Sequence, residues 1–326
     1  MIHTPLLPEH GGPDDGPSAA FDFSTNASPL GPPPALLRAV QAADRACYPD
    51  PGYRALRRRL GDEQRVLPTA GGAEGIRRLT LAAMLSGRRE AWVPQPGFGD
   101  YALAAHALGL AVKSYSDPAD IRPTAPALVW ICEPSNPTGA CLAPWPDLGD
   151  TLLIVDRAYE PLRLQGEAPT LPAHAWQLVC PNKALGLTGI RAGYALAPAT
   201  DAIWALALSL APSWVLSAEG VALLTHWLDE DTQAWLADVR TQLRVWRTAQ
   251  RALLADLDWQ QRDSCTNFWL ARPPQADMLP RLRERGIRLR DATSFGLPGW
   301  VRVSTQPPAA QQALQLAVLE IEGEDA

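Results

Sequence analysis

A lysine amine that can shed its proton attacks an aldehyde and holds it as an imine, a role that arginine cannot take. Of the 29 cationic side chains in this 326-residue sequence only Lys113 and Lys183 are lysines, so that chemistry has two candidate positions. Lys183 stands in Asn182-Lys-Ala-Leu-Gly-Leu-Thr-Gly-Ile-Arg-Ala-Gly-Tyr194, a stretch of low polarity directly after a strand-like segment. Desolvation there is expected to lower the amine's pKa and ready it for imine formation. A surface lysine in a glycine-rich turn would look the same, and the other motifs decide between the two.

Thr69-Ala-Gly-Gly-Ala-Glu74 places small residues at a helix start. There the free N–H groups of Gly72, Ala73 and Glu74 and the helix dipole make a seat for phosphate. Arg191 can bring its planar fork to the same phosphate. Asn136 lies in Cys132-Glu-Pro-Ser-Asn-Pro-Thr-Gly139, after a strand end, where ligands gather in open α/β sheets. Asp156 closes Leu-Leu-Ile-Val and suits a protonated ring nitrogen. Tyr159 suits a phenolic oxygen on the same ring, and Phe98 in Pro96-Gly-Phe-Gly-Asp100 suits its face. Singly, Asp156 reads as a strand-end cap and Phe98 as core. Together an amine for an aldehyde, a seat for a phosphate, a carboxylate for a pyridine nitrogen and a flat stacking surface describe pyridoxal 5'-phosphate.

The elements that must position these groups follow from the hydrophobic pattern. Helices are expected from near Pro34, over 53–60, 74–85, 99–108 and 202–211. Strands are expected at 91–94, 111–115, 127–132, 152–155, 177–180 and 193–197. Pro68-Thr-Ala-Gly-Gly reads as a loop. Short apolar strands alternating with helices predict an α/β fold with a parallel sheet covered on both faces. Beyond Val221 the texture changes to a smaller α+β unit: helices 217–229, 231–256 and 276–285, strands 268–272, 287–290 and 300–304, and a terminal helix. The expected organisation is an N-terminal arm with part of the small domain (1–45), a large cofactor-binding domain (46–220) and a small C-terminal domain (221–326).

Composition narrows the function classes. A 47% hydrophobic chain with 24 Gly and 32 Pro can build a core, which excludes fibrous and disordered readings. The net charge of −6 gives no basic field for a nucleic acid. Five scattered cysteines without a C-x-x-C pair predict reduced thiols and no zinc or other metal site. The N-terminus lacks the basic and apolar regions of a signal peptide, and Ala202–Ala218 is too interrupted to span a membrane. A cytoplasmic location is expected.

Asn136-Pro-Thr-Gly139, Asp156-Arg-Ala-Tyr159 and the run from Lys183 to Tyr194 resemble the aminotransferase class of fold-type I pyridoxal-phosphate enzymes, over nearly the whole chain. His10-Gly-Gly12, Asp22-Phe-Ser-Thr-Asn-Ala-Ser-Pro-Leu-Gly31, Tyr48-Pro-Asp50, Pro96-Gly-Phe-Gly-Asp-Tyr101 and Arg290-Asp-Ala-Thr-Ser-Phe-Gly296 are similar more narrowly to the L-threonine O-3-phosphate decarboxylase family of cobalamin biosynthesis. That family is a relative of histidinol-phosphate aminotransferase. The resemblance implies a fold-type I transferase fold, with Lys183 as the imine-forming residue and Asp156 facing the pyridine nitrogen. Asn136 and Tyr159 would hold the ring oxygen, Phe98 would stack, and Arg302 would bind the substrate carboxylate. His10, Asn26, Tyr48 and Arg290 would line the pocket of a phosphorylated amino acid, with His10 and Tyr48 reaching in from the partner of a homodimer.

The sequence departs from that pattern at Arg157, where an acid is usual, and at Cys180 and Asn182, where hydroxyl residues usually help hold the phosphate. A short Pro-rich linker also replaces the crossover helix before 152. The implied reaction is decarboxylation of threonine phosphate to (R)-1-amino-2-propanol O-2-phosphate, the linker of the cobalamin nucleotide loop. The alternatives are an aminotransferase acting on histidinol phosphate or a related amino acid, and a catalytically silent fold that serves as a scaffold or cofactor carrier.

Overall fold

The apolar runs pair as their pattern requires. The computed structural model describes residues 9–142, 145, 148–199, 201 and 203–324. A short β1 (Phe21–Asp22) precedes α1 (Pro34–Gln41) and α2 (Arg54–Leu60). Then come β2 (Val66–Thr69), α3 (Gly72–Leu85), β3 (Glu90–Pro94), α4 (Asp100–Ala107) and β4 (Ala111–Tyr115), followed by β5 (Ala127–Cys132), β6 (Leu152–Asp156), β7 (Trp176–Val179) and β8 (Gly193–Leu196). Strands β2 to β8 form one sheet in the order β2-β8-β7-β6-β5-β3-β4, in which only β8 runs antiparallel to the rest. This is the α/β architecture expected, with a mostly parallel sheet.

Alternation along β5 shows why its strands are apolar throughout. Leu128, Trp130 and Cys132 face a core shared with Ile76 and Leu79 of α3 and Tyr101 of α4. Val129 and Ile131 face the other way, against Tyr115, Leu148 and Leu153. Both faces are therefore buried. Residues 133–151 join parallel neighbours β5 and β6 with no helix among their described members, as the short linker predicts. Leu142, Trp145 and Leu148 cover that face in place of a helix.

The rest of the chain comprises α5 (Trp204–Ser209), α6 (Ala218–Trp227), α7 (Glu230–Asp256), β9 (Gln260–Gln261), β10 (Phe268–Arg272), α8 (Met278–Glu284), β11 (Ile287–Arg288), β12 (Arg290–Asp291), β13 (Val301–Ser304) and α9 (Pro308–Glu324). An antiparallel sheet of order β12-β13-β10-β9 packs against α8 and α9. The buried stripe of α7, at Leu236, Val239, Leu243, Arg247, Gln250 and Leu254, recurs every three or four residues as an amphipathic helix requires.

Several expectations are corrected. Val66–Thr69, read in part as loop, is one of the sheet's two edge strands, where Pro68 costs no ladder bond. The segment 287–290 is not one strand: β11 pairs with β1 in parallel, and β12 pairs with β13. Two-residue strands such as β1 and β9 carry too little pattern to be read from sequence. Cys141 and Cys265, expected as thiols, form a disulfide with Cα atoms 6.5 Å apart, while Cys47, Cys132 and Cys180 are free. The fold brings together residues that scatter in sequence, which spacing could not reveal. No helix among the described residues is long and apolar enough to cross a membrane.

Candidate active site

The parallel strands β5, β6 and β7 deliver their C-terminal ends to one place, and a small cavity of about 90 Å³ opens there. Asp156, the last residue of β6, forms its floor. The carboxylate is buried, accepting a hydrogen bond from Tyr101 Oη at 2.7 Å and another from the Ala158 amide at 2.9 Å. Burial pushes its pKa up, against the opposing pull of Lys183 and of those two donors. Tyr101 is itself fully buried and stacks on Trp130, so the donor is fixed in place.

Lys183 follows β7 in a tight turn whose carbonyls are tied down: Leu185 N donates to Pro181 O at 3.0 Å, and Ser28 N to Lys183 O at 2.8 Å. Its ammonium lies 5.2 Å from the centre of the Tyr159 ring, and the side chain lines the cavity. The expected depression of its pKa is not what the structure gives. Burial does disfavour the charge, but the acidic groups of Tyr159, Cys180 and Asp156 outweigh it and hold the amine above its ordinary value. Sequence reasoning counted the apolar surroundings and missed the acidic ones.

The phosphate seat is recognisable. Helix α3 starts at Gly72, and Gly72 and Ala73 line the cavity beside Cys180, Asn182 and Arg191. Gly71, at φ +78°, lies so close to the Arg191 guanidinium that a Cβ there would fall 2.8 Å from Nη2. Arg191 donates to Thr188 O at 3.1 Å, which leaves the rest of its fork toward the helix start. Glu74 departs from expectation: it lies outside the cavity wall, and its carboxylate accepts from Ala70 N at 3.1 Å and pairs with Arg78 at 2.9 Å. Its own helix end and a buried arginine claim it. Cys180 is buried, with its thiol pushed up to about 12, and so stays neutral. Asn182 is also buried, its Oδ1 without a partner.

A second cavity of about 310 Å³ adjoins the first and shares Ala73, Phe98, Asn136, Tyr159, Lys183 and Arg191 with it. Across it stands Arg302 of β13. Its Nη1 donates to Asn136 Oδ1 at 2.6 Å and its Nη2 to Ser24 O at 2.7 Å, while Nε has no partner. Burial lowers this arginine to about 10, still well above neutrality, so it remains a cation. The N-terminal arm closes over it. Gly12 N donates to Ser24 Oγ at 2.8 Å, and at Gly11 a Cβ would fall 2.1 Å from Ser24 O, so only glycine fits there.

His10 lines the cavity of its own chain, 3.8 Å from the Asp100 carboxylate and with its ring centre 5.6 Å from that of Phe98. His10 was expected to reach in from the partner; here it reaches the cavity of its own chain, where β1 pairs with β11. Asn26 lines the cavity with both amide atoms unpartnered, and Arg290 lines it beside Phe295. Tyr48 stands apart: it is 77% exposed, stacks on Trp214 and reaches neither cavity. Sequence reasoning missed Tyr101 as the fixed donor to Asp156, and Glu9, Asp100, Thr188 and Phe295 as cavity residues. Tyr101 had a signal, in that it ends the Pro96–Tyr101 segment.

The residue set fits pyridoxal 5'-phosphate: a buried carboxylate on the floor, an amine on the wall, a helix start with an arginine at one end, and the unpartnered Asn26 amide. The aminotransferase class I and II family profile matches residues 20–318. Histidinol-phosphate aminotransferase 1 of Thiobacillus denitrificans is 31% identical, over 86% of this chain and 80% of that protein. The histidinol-phosphate aminotransferase of Haloarcula marismortui is 30% identical, over 88% and 86%. Among solved structures, the L-threonine-O-3-phosphate decarboxylase of Porphyromonas gingivalis superposes with a TM-score of 0.79 at 23% identity, covering 93% of this chain and 99% of that one. The histidinol-phosphate aminotransferase of Sinorhizobium meliloti, in complex with pyridoxal-5'-phosphate, gives 0.76 at 23%, covering 95% and 92%.

Proposed function

This chain belongs to the aminotransferase class I and II family, and on that premise we propose that it is a pyridoxal-phosphate-dependent aminotransferase whose amine donor is a small phosphorylated compound of the histidinol-phosphate kind. The observation that carries the reading is a pair of adjoining cavities with Lys183 in the wall of both. One has Asp156 at its floor and the other is lined by two arginines, Arg302 and Arg290, with curated relatives of that activity at 30 and 31% identity.

When bound, the cofactor supplies an aldehyde and an electron sink. The chain's residues do the rest. Lys183 would hold the aldehyde through its amine and is placed to move a proton at the substrate carbon. Asp156 would keep a proton on the ring nitrogen, and Tyr101 keeps that carboxylate in register. Gly72, Ala73, Arg191, Asn182 and Cys180 would hold the phosphate end, Tyr159 and Asn136 the ring oxygen, and Phe98 the ring face. Arg302, held by Asn136 and Ser24, binds a carboxylate, including that of the ketoacid which an aminotransferase must accept in its second half-reaction. Arg290, His10 and Asn26 meet the distal phosphate.

Decarboxylation of L-threonine O-3-phosphate is the second reading. The residues His10 and Asn26, from the segments that resemble that family, lie together in the cavity. We further propose a cytoplasmic homodimer in which the exposed Tyr48 serves the partner's site, and a division into arm, large domain and small domain near residues 45 and 220.

The experiment is a pair of assays on the cofactor-loaded protein. Formation of glutamate from 2-oxoglutarate with histidinol phosphate supports the aminotransferase. CO2 release from threonine phosphate without ketoacid, lost in Lys183→Ala, replaces it with the decarboxylase, and neither activity leaves the silent fold.

A further inference from the structure

At the mouth of the cavity stands an arginine whose donors are already engaged. Arg290 is only 4% exposed. Its Nη1 donates to Glu9 Oε2 at 3.1 Å and to the Asp291 carbonyl. Its Nη2 donates to the Glu9 carbonyl at 2.8 Å and to Ser294 Oγ at 2.6 Å. Both N–H groups of each Nη are thus accounted for, and Nε is buried without a partner. Three of those acceptors are fixed: two are main-chain carbonyls, and the third is a hydroxyl on the turn that Arg290 itself leads into. The fourth, the Glu9 carboxylate, belongs to a side chain that is 66% exposed.

Glu9 and Arg290 both border the substrate-side cavity and the groove of about 640 Å³ beside it. The neighbouring cations of that groove are taken, since Arg283 and Arg288 both pair with Asp14. An incoming anion therefore finds one exchangeable partner on Arg290. Two anions cannot share one N–H donor, and at this separation they repel.

We propose that Glu9 is a specificity-determining residue: its carboxylate occupies Arg290 as an internal anion, and the distal anionic group of a substrate binds by displacing it. The proposal rests on reading the cavity as the site of a phosphorylated amine. The arm stays seated during the exchange, because the Glu9 carbonyl and the Gly12 amide keep their bonds to Arg290 and Ser24. A ligand without a distal anion has nothing to displace and is indifferent to Glu9.

The test is calorimetric titration of cofactor-loaded wild-type protein and Glu9→Gln with 3-phosphoglycerate and with lactate. Both lack an amine and cannot react. The expected result is roughly 2- to 5-fold tighter binding of 3-phosphoglycerate by Glu9→Gln, the range of an ion pair with one exposed partner. Lactate affinity should stay unchanged, and the gain should vanish in an Arg290→Ala background. Equal affinity of the two proteins for 3-phosphoglycerate overturns the proposal, as does an equal gain for lactate or no binding of 3-phosphoglycerate to either protein. Failure of the parent reading is distinct: it is a Glu9→Gln gain in a protein that converts no phosphorylated amine.

Discussion

The floor of the cavity and its mouth are built differently. At the floor, Asp156 ends one strand and Lys183 follows the next in the same sheet, and their neighbours Tyr101, Cys180 and Asn182 are buried and locally constrained. At the mouth, the groups come from chain segments nearly 300 residues apart, Glu9 and His10 on the arm and Arg290 and Arg302 on β12 and β13, and they hold one another by ion pairs and single hydrogen bonds. The comparison teaches where function tolerates change. A rigid floor fixes the chemistry, whereas a mouth assembled from exchangeable contacts can retune what it admits.

Four substitutions sharpen that contrast. Lys183→Ala at the floor should abolish turnover, a loss on the order of 10⁴-fold or more, while the circular dichroism spectrum is retained. Residual activity within tenfold of wild type would break the assignment. Asp156→Asn should cost roughly 10²–10³-fold in kcat, the scale of one removed electrostatic contact to the reacting system.

The same change carries a pH signature in the cofactor-free protein. Burial raises the Asp156 pKa, so over the window between the ordinary carboxyl range and the raised value the folded state binds more protons than the unfolded chain. Wild-type stability then falls as pH rises through that window, and Asp156→Asn removes the fall. Melting temperatures measured from pH 4 to 7 should show the variant gaining on wild type; parallel curves would contradict the buried, raised carboxyl.

Arg302→Lys, at the mouth, comes next. It keeps the charge but loses the fork that reaches Asn136 and Ser24 together, and kcat/KM should fall about 10- to 100-fold, with the loss mainly in KM. Ser24→Ala, at the mouth, removes the acceptor for Gly12 N and the hydroxyl that donates to Asp22 Oδ1. It should raise KM a few-fold with kcat unchanged, as the loss of two partly buried hydrogen bonds away from the reacting groups warrants. A large kcat effect from Ser24→Ala would mean that the mouth is as rigid as the floor.

Legibility follows the same division. Lys183, Asp156, Asn136 and Arg191 sit in compact motifs beside apolar strands, and their convergence could be read because parallel strands deliver their ends to one edge. Glu74 was misjudged because the spacing that puts an acid at a helix start does not say whether its side chain caps its own helix or faces a ligand. The direction of the Lys183 shift was misjudged because two of the groups that raise it, Tyr159 and Asp156, arrive from the neighbouring strand β6 and the turn after it.

By itself the sequence determined most of the helices and strands of the mostly parallel sheet and set Lys183 in a low-polarity motif beside an apolar strand, since periodicity and local residue type act over a few neighbours. Only the tertiary structure decided that Tyr101 anchors Asp156, that Cys141 meets Cys265, that His10 lines the cavity of its own chain, and that Glu9 lies on Arg290. Each of those contacts closes a long loop of chain, and its partner is chosen by how whole layers pack. No short stretch of sequence encodes that choice.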